Sequence, residues 1–214
     1  MGTTLEKFTW LEYNTDKVIG HGYEDIYEKY LDRNKKVIVE FGSRNGSANL
    51  WSDYFQDGKF YGCDLIEFNI FNDRFEFIKL DMNNPQDYNK LPDNIDVVIE
   101  DGPHTTKSQM ICLDSVLPKM NKGGVIILED LHCTEVGNQS EKEYLKFVGD
   151  CETSINEMLR EWIDGKYYDY KYINGTKWEN SNLKIHLERG NKVRWKQPGI
   201  MKKPSEVIVI EVEK

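Results

Sequence analysis

The sequence predicts an α/β protein built on a doubly wound, Rossmann-like sheet, and three observations carry that reading. Val37-Ile38-Val39, Val97-Val98-Ile99 and Val125-Ile126-Ile127-Leu128 are short β-branched runs, each followed by an acid, as strands of a parallel sheet buried on both faces read. Stretches with apolar residues at helical spacing lie between them. A glycine-bearing segment, Glu40-Phe41-Gly42-Ser43-Arg44-Asn45-Gly46-Ser47, joins the first run to the first of those stretches.

The elements follow in order. Residues 23–31 place Ile26, Tyr27, Tyr30 and Leu31 on one helix face, expected to cap the sheet edge. After the first strand, residues 47–56 carry Leu50, Trp51, Tyr54 and Phe55 at helical spacing and stop at Asp57-Gly58. Residues 60–65 and 75–80 are the next two strands. The Val97 run is followed by a helix over 106–120, marked by Met110, Ile111, Leu113, Val116 and Leu117, and then by the Val125 run. Ser140-Glu141-Lys142-Glu143 has the capping-box pattern of a helix start, and Ile155, Met158, Leu159 and Trp162 restart a helix past Gly149-Asp150. Residues 167–173, 183–187, 192–195 and 207–212, with Arg189-Gly190-Asn191 as a turn, are expected to add antiparallel strands at one edge. The expected organisation is one domain over 1–214, with a helical cap at 1–35, a core at 36–134 and helices and antiparallel strands at 135–214.

Composition narrows the function classes. There are 37 acidic against 28 basic residues, a formal charge of −9, which disfavours a phosphate backbone as partner. With 39% hydrophobic and 12% aromatic residues the chain can fill a core. No run reaches the ~18 apolar residues of a membrane helix, and residues 1–10 have no apolar signal core, so a cytoplasmic protein without nucleic-acid or membrane partners is expected. Cys63, Cys112, Cys133 and Cys151 show no CxxC pair and no matching histidine spacing, so they read as reduced, partly buried thiols.

Two constellations carry chemistry. The glycine segment has the spacing E-x-G-x-x-x-G and lacks both the Lys-Ser/Thr ending of a P-loop and the G-x-G-x-x-G of dinucleotide folds. Glu40 would repel a pyrophosphate but suits a cationic amino-acid moiety. Asp64 and Asp81 end the next two strands, where a carboxylate can accept from ribose hydroxyls and approach an adenine amine, with Met82 beside it. Three strand-end acids in series fit S-adenosylmethionine. The second constellation is Asp101-Gly102-Pro103-His104 with Glu129-Asp130-Leu131-His132, at the ends of two strands expected to be adjacent. Converging Asp101, Glu129 and Asp130 would repel one another without a cation, and an all-oxygen set selects a hard ion such as Mg²⁺. His104 is the candidate general base, since imidazole exchanges its proton near neutrality. His132 reads as a partner behind the metal ligands or, preferred, as a residue at a helix start, and His186 as structural.

These residues resemble the metal-dependent, S-adenosylmethionine-dependent sugar O-methyltransferases of the macrocin, mycinamicin and rhamnosyl type. The resemblance spans about residues 12–134 and rests on Asn14-Thr15-Asp16-Lys17 with His21-Gly22-Tyr23, on residues 40–47, on Asp101-Gly102-Pro103-His104, and on Gly123-Gly124-Val125 through Glu129-Asp130-Leu131-His132. It implies a class I methyltransferase fold of seven strands whose last, over 207–212, is antiparallel. It implies Mg²⁺ on Asp101, Glu129 and Asp130, His104 as base, and a cofactor contacted by Thr15, His21, Tyr23, Glu40, Gly42, Ser43, Gly46, Ser47, Asp64, Asp81, Met82 and Asp101. The acceptor implied is a sugar or glycan hydroxyl, such as that of a deoxysugar; a homo-oligomer and a place in a longer glycan-assembling chain stay open. Pro103 stands where the family usually has Ser. A catechol-type O-methyltransferase shares the fold and metal, and acceptor assays separate the two. A non-catalytic binding module would have no use for a base beside a metal.

Overall fold

The computed structural model describes residues 8–13, 15–138, 140–191 and 205–213. A short 3₁₀ turn, Trp10–Glu12, and one π-helical turn, Lys17–His21, precede α1 (Glu24–Tyr30). Then come β1 (Val37–Phe41), α2 (Asn45–Tyr54), β2 (Lys59–Asp64), β3 (Phe75–Lys79), β4 (Ile95–Glu100), α3 (Thr106–Val116) and β5 (Met120–Leu128). The C-terminal part holds α4 (Glu141–Val148), α5 (Ile155–Ile163), a hairpin of β6 (Asp169–Tyr170) and β7 (Ile173–Asn174), then β8 (Leu183–Arg189) and β9 (Glu206–Val212).

Seven strands form one sheet in the order β3-β2-β1-β4-β5-β9-β8. β1 through β5 run parallel, and β9 is antiparallel to both β5 and β8. The chain winds outward in both directions from the β1–β4 pair, and at that reversal the loops leaving the two strands diverge and open a crevice. Alternation along the strands supplies both faces. Val39, Val98, Ile126 and Leu128 face α3 and α5, whereas Ile38, Val97, Ile99, Val125 and Ile127 face α1 and α2.

Several expectations shift. α1 lies over a face of the central strands, with Ile26 and Tyr27 buried in that core, and touches the β8 edge through Lys29 and Tyr30 on Glu188 and Tyr30 on His186. Residues 167–173 contribute to the separate β6–β7 hairpin and add no strand to the main sheet. The helix expected to run to Met120 ends at Val116 because Pro118 cannot donate to the helical ladder; Leu117–Lys119 tightens into a 3₁₀ turn and Met120 opens β5. The helices restart as expected, with Ser140 accepting from Glu143 N–H and a reciprocal box between Ser154 and Glu157. The strand expected at 192–195 lies outside the described residues, as does Asn14. Cys63, Cys112, Cys133 and Cys151 are all free. No helix among the described residues is long and apolar enough to cross a membrane.

Candidate active site

The loop leaving β1 passes directly over the end of β4. Gly42 has φ +72, and a Cβ there would lie 1.9 Å from the Asp101 carbonyl oxygen. Gly42→Ala is therefore expected to cost more than the ~1–2 kcal/mol of left-handed backbone strain alone, because the obstacle is main chain and cannot rotate away. Urea unfolding would check this; a loss under ~1 kcal/mol would show that the loop relaxes freely.

Two adjoining depressions line the carboxyl ends of the strands and share Gly42, Arg44 and Asp101. One, of about 390 Å³, is walled by Asp64, Leu65, Ile66, Asp81, Met82 and Gly102 among others. The second, of about 480 Å³, is walled by Thr15, Asp16, Ile19, Gly46, Ser47 and His104. The cleft thus gathers most of the residues assigned to a cofactor from sequence. Asp64 is held by Arg44 at 2.9 Å and by Ile66 N–H at 2.8 Å, and Asp81 accepts from Asn83 N–H at 2.9 Å.

Four of the assigned residues lie elsewhere. Ser43 is fully buried, its Oγ turned toward Gly62. Glu40 lies beneath the loop, taking hydrogen bonds from Ser47 Oγ (2.7 Å) and Trp51 Nε1 (2.8 Å). His21 and Tyr23 line neither depression; they stack on each other and pack behind Asp130, where the Tyr23 hydroxyl donates to Oδ1 at 2.5 Å. The reason is α1, whose start turns these side chains inward against the end of β5.

At the centre is a side chain to which sequence reasoning gave no role. Lys17 is 1% exposed, and its ammonium donates to Asp101 Oδ2 at 2.6 Å and Glu129 Oε2 at 2.8 Å, with Glu40 Oε1 at 3.3 Å. Burial alone would lower the lysine pKa, but the three carboxylates hold it well above its ordinary value. The cation is outnumbered. Burial pushes Asp101 up to about 6, with Lys17 and His104 opposing, and holds Glu129 well above the carboxylate range. Asp130 goes the other way: burial raises it, but His21, His104, His132 and the Tyr23 hydroxyl together bring it to about 2.

Glu129, expected as a third metal ligand, stands beside Asp101 with partners of its own. Oε1 accepts from Tyr27 at 2.7 Å and Oε2 from Lys17, so both oxygens are engaged by the chain itself. Among the described residues, Asp101, His104 and Asp130 converge as a ligand-capable group, with donor atoms within 4.8 Å of one another. His104 Nε2 is 3.8 Å from Asp101 Oδ1 and 3.7 Å from Asp130 Oδ2, too far for a hydrogen bond but with room for an ion or an acceptor oxygen between them. Its Nδ1 is buried without a hydrogen-bond partner.

His104 (φ 55) and Asp130 (φ 54) both adopt left-handed backbone, a strain retained at sites where side-chain direction matters. Glu100 braces the His104 loop, accepting from Gly102 N–H at 3.2 Å and Gln109 Nε2 at 2.7 Å. His132, read as a residue at a helix start, reaches Ser205 Oγ at 2.8 Å beside Asp130, while His186 pairs with Glu211 across β8 and β9.

The fold is that of the class I methyltransferases. Across 98% of this chain it superposes on the MycE methyltransferase of mycinamycin biosynthesis, solved with Mg, SAH and mycinamycin VI, with a TM-score of 0.65 at 19% identity, covering 51% of that protein. An O-methyltransferase from Bacillus cereus in complex with SAH gives 0.55 at 14% identity, covering 94% of this chain and 83% of that one. In sequence, the chain is similar to the 8-demethyl-8-alpha-L-rhamnosyl tetracenomycin-C 2'-O-methyltransferase of Streptomyces olivaceus, 29% identical over 136 residues, 56% of this chain and 36% of that one. The mycinamicin VI 2''-O-methyltransferase of Micromonospora griseorubida is 26% identical over 126 residues, 52% of this chain and 32% of that one. The chain thus spans about a third of the length of these curated relatives. No family model matches it.

Proposed function

We propose that this chain is the cofactor- and metal-binding part of an S-adenosylmethionine-dependent O-methyltransferase that methylates a sugar hydroxyl. The observation that carries the reading is the convergence of Asp101, His104 and Asp130 at a cleft walled by Gly42, Asp64 and Asp81. The acceptor class is supported by relatives named for O-methylation of a rhamnosyl tetracenomycin and of mycinamicin VI.

The residues fit a hard divalent ion. Glu40, Asp101 and Glu129 face one ammonium while Asp130 adds a fourth carboxylate among histidines, leaving negative charge that a cation would balance, and Asp101 and Asp130 offer oxygens on opposite sides of one gap. When bound, Mg²⁺ would lend Lewis acidity to an acceptor hydroxyl and S-adenosylmethionine would supply the electrophilic methyl group. The chain's part is positioning and proton transfer. Asp130, fixed by Tyr23 and Ser205, stays ionised. His104 Nε2 takes the acceptor proton, and Glu100 holds its loop. Asp64 and Asp81 orient the ribose and adenine ends, so that acceptor oxygen, methyl carbon and sulfur can be held in line. We place this activity in the cytosol and in one domain over 1–214.

Calorimetry with S-adenosylhomocysteine tests the reading: wild type should bind, and Asp64→Ala should weaken binding about tenfold or more, the scale of a lost charge-assisted hydrogen bond pair. Failure of wild type to bind either cofactor form overturns it. Incubation with S-adenosylmethionine, Mg²⁺ and a panel of deoxysugar glycosides and catechols, read by mass for a methyl gain, decides the acceptor.

A further inference from the structure

Building on the cofactor reading above, we propose that Arg44 seats the carboxylate of the cofactor's amino-acid end and so sets the chain's preference for a ligand that carries one. Arg44 lines both depressions, and among the described residues that do so it is the sole lysine or arginine, set among Asp16, Asp64, Asp81 and Asp101. S-adenosylmethionine and S-adenosylhomocysteine each bring an α-carboxylate into this acidic cleft. Like charges repel there, and a cation must answer it. The partner expected for that end from sequence, Glu40, lies beneath the loop on Ser47 and Trp51, so the amino-acid end is left to groups on the cleft surface.

Local structure gives Arg44 a fixed stem and an exposed head. Its backbone is extended (φ −137, ψ 167) just ahead of α2, and its carbonyl accepts from Ala48 N–H at 2.8 Å and Ser47 Oγ at 3.1 Å. The side chain is 56% exposed, and Nη1 reaches Asp64 Oδ1 at 2.9 Å. Ile66 N–H donates to the same oxygen at 2.8 Å, so both contacts fall on Oδ1 and neither occupies Oδ2, which can accept from a ribose hydroxyl. The guanidinium therefore need not leave Asp64 in order to act. Its planar fork carries further N–H groups, in the geometry that grips a carboxylate by two parallel hydrogen bonds.

Calorimetry of the purified chain can compare S-adenosylhomocysteine with its decarboxylated analogue, which keeps the amine. Wild type should bind the carboxylate form about tenfold or more tightly, and Arg44→Met, which keeps most of the stem and removes the charge, should bring the two within about threefold. Because both ligands carry the same nucleoside, their ratio cancels any change in the ribose contact. Asp64→Asn should weaken both alike and leave the ratio as in wild type. Equal binding of the two ligands by wild type, or an undiminished preference in folded Arg44→Met, overturns the inference and leaves the cofactor reading standing. A ratio that collapses in Asp64→Asn as well would mean that Arg44 acts only by holding Asp64, and also overturns it. Should Arg44→Met not fold, as judged by circular dichroism, Arg44→Gln is read in the same way. Failure of wild type to bind either ligand overturns the cofactor reading and the inference together.

Discussion

Replacing His104 by alanine is expected to preserve fold and cofactor affinity while lowering kcat on the order of 10²–10⁴-fold, the usual worth of a positioned general base. Among the four histidines it alone lines the cleft; His21 and His132 sit behind Asp130, and His186 is paired on the far strand. Because His104 sits at φ 55, His104→Asn is the companion variant: asparagine tolerates that backbone but cannot serve as the base. A kcat near normal in both would mean that His104 only shapes its loop. Wild-type activity should also fall as pH drops through about 6, because burial raises the Asp101 carboxyl to that value and protonation there loosens its hold on a cation; a pH profile of kcat should show this limb weakened at saturating Mg²⁺.

Asp130→Asn is expected to reduce turnover to the level of the chelated enzyme while leaving S-adenosylhomocysteine binding within about twofold, because Asp130 lines neither wall of the cofactor cleft. Asparagine suits the left-handed backbone at this position and can keep a hydrogen bond from Tyr23, so the loss reports on charge more than on folding. EDTA should abolish wild-type turnover and Mg²⁺ restore it. Full turnover in EDTA, with metal absent by elemental analysis, would remove the cation from the reaction and leave Asp101 and Asp130 as partners of the histidines.

The strands and their polarity were legible because a doubly wound sheet imposes strong local signals. β-branched runs buried on both faces, acids at their carboxyl ends and a glycine at the β1–α2 turn are properties of short segments. Thus β1 through β5, Asp64, Asp81, Asp101 and His104 could be placed from spacing alone. The hairpin at 169–174 could not, because two-residue strands have no period to read. Lys17 was visible in its motif but had no assignable partner, since the carboxylates it binds lie 84 and 112 residues away in sequence.

By itself the sequence determined the doubly wound sheet and the acids and histidine at the carboxyl ends of its strands, because each follows from local periodicity; the order of the strands, and with it the crevice at the β1–β4 reversal, came from the structure. Only the tertiary structure decided how those acids are shared out. Glu40, expected to face a cofactor, and Glu129, expected to face a metal, both meet the Lys17 ammonium that the π-helical turn brings between them, and Asp130 keeps its charge because three histidines and a tyrosine surround it. A carboxylate's role in a dry interior is set by its nearest opposite charge and hydrogen-bond donors, and those are chosen by packing between segments far apart in the chain.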